Sequence, residues 1–424
     1  MKEVKLTLKV ITPLFMGGAN QQAELRSQSF NGVLRWWFRA AGGSFEDEKK
    51  IFGWGGENSN KGGVKLVISQ KLNSQIFEKE IDEHDNVRQD RGINYLGFSL
   101  DQRFQKQSNK TGREYLEQNQ NFEIKLFFHP TLKEEDIKKF FATLWLAFNL
   151  GNFGSRSRRG FGSLRIEKIK KIDSEGSEGK DLISDCFGLN FKLSNHNINS
   201  WINDNLKEIE KIINPNARKD IPFIFGDEFK IYKIDKDNYL NWNIWRGNVQ
   251  EGRNGRYLKD NWEDHGINGW KDLLDFMGFL LMAYRSYKQP DYDVAKSILK
   301  CRNTQNSIFE IERAIFGLPL NFFYSSLTNP KTDKSGYGDK VDLVEIINNK
   351  TYAYRRASPL MMKILQNDNS YEGLFIIAKS KFKPDNYELK FQRRDITLPE
   401  NNEWKAIDDF ISSLKNDSLI VDIK

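Results

Sequence analysis

Val4, Leu6, Leu8 and Val10 alternate with Lys5, Thr7 and Lys9 at the start of the chain. A period of two predicts a half-buried strand, which Pro13 ends and Gly17-Gly18 turns. Ser29 is placed to cap a following helix, with Phe30, Leu34, Trp37 and Ala41 on its apolar stripe and Gly42-Gly43 as its stop. Residues 64–68 read as a strand, and so does the alternation Phe122, Ile124, Leu126, Phe128. Thr131-Leu132-Lys133-Glu134 has the form of a capping box. Behind it, Ile137, Phe140, Phe141, Leu144, Trp145 and Phe148 share one helical face. After a glycine-rich basic segment, Leu164 and Ile166 open a further strand. The order strand–helix–strand–strand–helix–strand is the ferredoxin-like pattern, an antiparallel sheet with two helices on one face. Residues 70–119 exceed what that pattern needs, and their polar, basic part, 102–117, reads as a mobile insertion.

Residues 173–180 have linker composition, and Trp201, Leu206, Ile209 and Ile213 then mark a helix. The second half repeats the first more loosely. Strands are expected at 223–234, 309–323, 352–365 and 374–378, with a closing strand at 419–423. Trp270, Leu273, Leu274, Met277, Leu281 and Tyr284 predict one helix, and Trp404, Ile407, Phe410, Ile411 and Leu414 another. The expected fold class is therefore α+β, with two tandem ferredoxin-like (RRM-like) domains carrying insertions. They would occupy residues 1–172 and 221–424, joined by a linker and helical segment at 173–220.

The length of 424 residues suits two or three domains. A net charge of +7 suits a polyanionic partner. Cys186 and Cys301 lie far apart and outside any CxxC, which excludes a zinc ribbon or a disulfide framework and reads as reduced thiols. The apolar run at 276–284 is too short to span a membrane, and the first residues lack the apolar run of a signal peptide. A soluble, cytoplasmic protein is expected.

Charge changes the picture most at residues 151–171, which hold seven basic residues and one acidic. Here Arg156, Arg158 and Arg159 crowd among Gly154, Ser155, Ser157 and Gly160. Glycines let a backbone approach phosphate closely, and exposed amides in such a turn would form an anion-binding nest. Guanidiniums add phosphate forks and stacking planes. The spacing matches neither GxxxxGK[ST] nor GxGxxG, so no nucleotide cofactor is expected; the bland alternative is a solvated basic loop. Arg35 and Arg39, four apart, share a helix face with Trp36 at its edge. They are expected to bind RNA and to be dispensable for folding, the alternative being a plain cationic surface. Arg355 and Arg356 precede the turn at Pro359 and read either as RNA contacts or as a solvated strand edge. Residues 242–262, with Trp245, Arg246, Arg253, Arg256 and Tyr257, read equally as a base-stacking platform or an ordinary loop.

Several of these pieces resemble one family. Thr12-Pro13-Leu14-Phe15-Met16-Gly17-Gly18-Ala19, Glu24-Leu25-Arg26 and Asn31-Gly32-Val33-Leu34-Arg35-Trp36-Trp37-Phe38-Arg39-Ala40 resemble the opening of RAMP-superfamily proteins, specifically the first-numbered Cmr subunits of type III-B CRISPR effector complexes. Gly154-Ser155-Arg156-Ser157-Arg158-Arg159-Gly160-Phe161-Gly162 is similar to that family's glycine-rich loop. Phe316-Gly317-Leu318-Pro319 and Arg355-Arg356-Ala357-Ser358-Pro359-Leu360 are similar to its C-terminal motifs, whereas residues 70–120 and 175–305 carry no resemblance. The resemblance implies two tandem ferredoxin-like domains and brings Arg26 into the RNA-binding set. It also implies a subunit that caps the 3′ region of the CRISPR RNA near the 5′ part of the target single-stranded RNA, beside other RAMP-type subunits. Target cleavage in such complexes belongs to a backbone subunit with an aspartate in a loop; here the corresponding loop, residues 17–23, has Asn20 and no aspartate.

Metal-independent RNA cleavage usually wants a histidine base. His84, His129, His196 and His265 stand in no HExxH and near no helpful serine or cysteine pattern. No metal ligand set and no catalytic residue is expected. The reading is a non-catalytic RNA-binding subunit in antiviral defence. The alternatives are a metal-independent CRISPR-RNA-processing endoribonuclease of the same superfamily and a basic protein-interaction module.

Overall fold

The structure, a computed structural model, describes residues 2–20, 22–56, 59–68, 70–77, 91–98, 100, 112–193, 197–218, 220–239, 266–285, 289–300, 308–348, 350–368, 370–392 and 394–424. Residues 242–262, His84, His196, His265 and Cys301 lie outside the described residues.

The fold is α+β. The opening alternation becomes strand β1 (Glu3–Val10), whose even-numbered residues are buried. Helix α1 (Ser27–Ala40) buries Phe30, Leu34 and Trp37 as its spacing requires. It starts two residues before Ser29, after an Arg26 that gives no side-chain cap, so Ser29 is an interior helix residue. Helix α2 (Phe45–Phe52) and strand β2 (Val64–Val67) follow. Part of the expected insertion is ordered as strand β3 (Ser74–Ile76), helix α3 (Arg91–Leu96) and strand β4 (Glu114–Leu116). Strand β5 (Asn121–Phe128) leads into helix α4 (Glu134–Asn149). That helix is capped two residues later than the sequence suggested, with Lys133 as its N-cap: the Lys133 amide donates to the Asp136 carboxylate at 2.8 Å, while the Thr131 hydroxyl bonds to the His129 ring. Strand β6 (Leu164–Ile172) pairs with β1, and the polar stretch after it is a hairpin turn into strand β7 (Glu178–Asp181). The sheet runs β2-β5-β1-β6-β7. Helix α5 (Ile198–Ile213) packs on α4, where Trp145 and Trp201 sit 5.1 Å apart and both indoles donate to the Asn190 carbonyl.

The second half reuses the plan. Strand β8 (Phe229–Ile234) is followed by helix α6 (Trp270–Arg285). After helix α7 (Asp291–Lys300) comes an inserted sheet. Its strands include β9 (Phe309–Glu310), β10 (Leu320–Thr328), β11 (Ser335–Ile347) and β12 (Lys350–Tyr354). Strands β13 (Leu360–Gln366) and β14 (Tyr371–Ala378) return to the β8 sheet. Strands β15 (Tyr387–Phe391) and β16 (Arg394–Thr397) complete the insert, and helix α8 (Lys405–Asn416) and strand β17 (Ile420–Asp422) close the chain. The sheet order is β13-β14-β8-β17. Two long strands expected from the sequence are each divided. Residues 309–323 contain β9, a 3-10 turn (Glu312–Phe316) and the start of β10. Residues 352–365 contain the end of β12 and most of β13, in different sheets, broken before Pro359.

Strand β13 is buried on both faces. Met361 and Leu365 join the core built on β1, α1 and α4, while Leu360, Met362 and Ile364 join the core built on α6 and α8. This explains why its sequence is apolar on both faces, interrupted only by Lys363, rather than an alternation. Residues of β8 and β14 also join the first core, and Ile11, Phe15 and Phe161 join the second, so the two halves share both cores, and the glycine-rich segment lies against β13.

Candidate nucleic-acid interface

The glycine-rich turn is a built object rather than an open loop. Gly162 has φ +73, and a Cβ there would fall 1.9 Å from the Phe153 carbonyl oxygen; Gly154, at φ +80, would clash with the Phe15 carbonyl. Only glycine fits this approach. The amides of Phe153, Ser155 and Gly162 donate to the carbonyls of Gly162, Phe15 and Pro13, and the Arg159 amide to that of Arg156. The turn thus spends these four donors on its own closure and on the chain after β1, which leaves fewer amides for an anion.

The turn is also bonded across to β13. The Met362 amide donates to the Arg158 carbonyl. Asn152, buried, donates to the carbonyls of Ser157 and Met362 at 2.6 and 2.7 Å and accepts from the Ser163 hydroxyl. Gly160 accepts from Thr12 Oγ1 at 2.8 Å. Sequence reasoning missed Asn152, since an asparagine beside a glycine gives no signal of burial.

This architecture gathers arginines. The Arg158 guanidinium lies 5.2 Å from the centre of the Trp36 ring and donates to the Ser358 carbonyl. Arg356 donates to the Lys381 carbonyl and lies over Phe382. Burial pushes Arg158 down to about 10, and the positive charge of Arg356 adds to the shift. Burial does the same to Arg159, also to about 10, with Arg285 and Arg156 contributing. Arg156 is lowered by burial and by exposed Arg355. Arg159 Nη1 is buried with no hydrogen-bond partner. Trp36, Arg156, Arg158, Arg159, Arg355 and Arg356 from the sequence reading thus converge, and Arg285 at the end of α6 joins them unannounced. Like charges crowded in a partly desolvated setting favour a polyanion.

Arg35, Arg39 and Arg26 are engaged elsewhere. Glu48 on α2 is completely buried, and Arg35 and Arg39 reach it with contacts of 2.9 and 2.5 Å. Burial pushes this carboxyl up, but the hydrogen bonds from Arg39 and Arg35 outweigh it and hold its pKa below the ordinary range. The pair therefore neutralises a buried charge, which corrects the expectation that it is dispensable for folding. Arg26 contacts the Gly17 carbonyl and Glu24 in its own loop.

A second unannounced group is Lys363. Its side chain is fully buried, and Nζ donates to the Gly151 carbonyl at 2.7 Å at the end of α4. Burial pushes its pKa down to about 7 from 10.5. Between those values the unfolded chain holds a proton that the folded one has released, so this residue makes stability rise with pH from about 7 to 10.5. Below about 7 its full penalty, a few kcal/mol by the shift, applies. Unfolding free energies across that range should show the rise in the parent minus Lys363→Met difference; a flat difference would mean that the ammonium is solvated.

Among the described residues, no three His, Cys, Asp or Glu side chains are grouped to hold a metal ion. No helix among them is long and apolar enough to cross a membrane.

Residues 7–165 match the family model of the RAMP superfamily. Over 189 residues the chain is 34% identical to the CRISPR system Cmr subunit Cmr1-2 of Pyrococcus furiosus, an alignment covering 41% of this chain and 99% of that protein. It is 31% identical over 157 residues to the Cmr subunit Cmr1-1 of the same organism, covering 34% of this chain and 40% of that one. The crystal structure of apo Cmr1 from Pyrococcus furiosus superposes with a TM-score of 0.52 at 18% identity, covering 100% of this chain and 99% of that chain, so the fold is shared.

Proposed function

The chain belongs to the RAMP superfamily, among its Cmr1 subunits, and from that premise we propose that it binds single-stranded RNA as a non-catalytic subunit of a type III-B CRISPR ribonucleoprotein. In that role it caps the 3′ region of the CRISPR RNA and helps to hold target RNA, beside other RAMP-type subunits in the cytoplasm. The strand orders β2-β5-β1-β6 and β13-β14-β8-β17 support reading the halves as tandem ferredoxin-like domains, 1–172 and 221–424, with 173–220 between them.

The observation that carries the reading is the convergence of Arg156, Arg158, Arg159, Arg355 and Arg356 on one turn, where the charges acting on the buried guanidiniums include other arginines. Such a cluster neutralises phosphates and offers planes for bases. Each phosphate neutralised on a single strand contributes about −0.7 to the log–log salt slope. Replacing Arg156, Arg158 and Arg159 together by alanine should flatten the slope by about two and weaken binding of labelled single-stranded RNA. Arg158 and Arg159 also pack inside the fold, so the double variant of Arg156 and Arg355, the more peripheral pair, should show about two-thirds of that flattening with an unchanged melting curve. Unchanged slopes in folded variants would overturn the reading. The same RNA followed over time, with and without EDTA, should stay intact; specific cleavage abolished by one histidine replacement would favour the endoribonuclease instead.

A further inference from the structure

The Arg158–Trp36 pair is a partition. On one side lies a cavity of about 190 Å³ between α1, the end of α4 and the glycine-rich turn. On the other lies a smaller one of about 90 Å³, towards Arg356, Phe382 and Trp404. A water molecule takes roughly 30 Å³ of liquid volume, so the larger cavity has room for a small ring system.

Its walls have a definite chemistry. Trp36 and Trp37 contribute indoles, set edge to face with centroids 5.0 Å apart. Arg158 contributes a guanidinium plane, and Val33 and Met361 apolar surface. Flat aromatic and guanidinium surfaces are what single-stranded nucleic acids stack upon. The buried Asn152 amide on the same wall is already committed to Ser157, Met362 and Ser163. It cannot also read a base edge, so such a seat would tolerate different bases.

Gly32 lines this cavity too. It stands in the interior of α1, where glycine weakens a helix relative to alanine. Neither the backbone nor packing asks for it: its φ is not among the positive ones, and an added Cβ would meet nothing within 4 Å. Gly154 and Gly162, by contrast, are required by the turn. An exposed helical glycine with open space above it lets a ligand approach the helix backbone.

We propose that the cavity above Gly32, walled by Trp36, Trp37 and Arg158, seats one unstacked nucleobase of a single-stranded RNA whose backbone lies along the arginine cluster. This rests on the RNA-binding reading and adds a site to it. Two variants test it. Gly32→Ala should melt no lower than the parent, since it improves the helix and meets no atom. Gly32→Phe should keep the fold but fill the seat. Stacking of one base on such surfaces corresponds to roughly 5- to 150-fold in affinity. Gly32→Phe should therefore bind a single-stranded oligoribonucleotide that much more weakly, with the salt slope of the parent, because the phosphate contacts remain. An abasic oligonucleotide of equal length should bind parent and Gly32→Phe alike. If the parent binds RNA with an arginine-dependent salt slope, yet Gly32→Phe binds equally well, the seat is overturned and the RNA-binding reading stands. If the parent binds no RNA, both fall.

Discussion

Replacing Glu48 by alanine will destabilise the protein by about 3–5 kcal/mol, the usual cost of breaking a buried ion pair from one side. The carboxylate is fully buried, with Arg35, Arg39 and, at 3.9 Å, Arg218 around it. Removing it leaves these cations facing one another across a vacated site. Replacing Arg35 and Arg39 together by alanine will cost a comparable amount, because it strands the carboxylate instead. The triple replacement will cost less than the sum of the two, the mark of groups acting as a unit. Urea unfolding measures all three. The sign of the pH effect follows from the depressed Glu48 pKa. Its contribution is complete above the unfolded value of 4.5 and is lost as the pH falls through the lower folded value, so the parent's advantage over Glu48→Ala should shrink in acid. Losses under about 1 kcal/mol, which surface substitutions show, would mean that the arginines are solvated and available to RNA.

Trp37→Ala will cost about 3–5 kcal/mol by a different route, the cavity left by a large core side chain. Trp37 is 2% exposed, and the α4 terminus is fitted closely to it: a Cβ on Gly151 would lie 2.3 Å from its indole nitrogen. Trp36, its neighbour, is only half-buried and stacks under Arg158, so Trp36→Ala should fall well short of that loss. Equal losses at the two positions would show that both indoles belong to the core and that the Arg158–Trp36 wall is structural.

The chain carries enough local information to determine most of its elements. The alternation of β1 and β5 and the stripes of α1, α4 and α8 each bury the residues their periods select. Periodicity works for β1, β5, α1 and α8 because each packs one face against a core, so burial repeats with the geometry of the backbone, whereas α4 is buried on every side from Phe140 to Phe148. The crowding of arginines among glycines, and the resemblance that runs through it, were likewise visible without coordinates. What lay beyond the sequence was decided by partners far away along the chain. Strand β13 meets two cores at once, so its apolar residues carried no period. The amides of Ser155 and Gly162 looked free for an anion, but closure on Phe15 and Pro13 uses them. Arg35 and Arg39 looked like a solvent face because Glu48, which claims them, lies on another helix. Nothing in the sequence marks Lys363 as buried; the carbonyl of Gly151 at the end of α4 receives it. A sequence lists which groups can pair or be buried, but which group meets which is decided only when distant segments pack together.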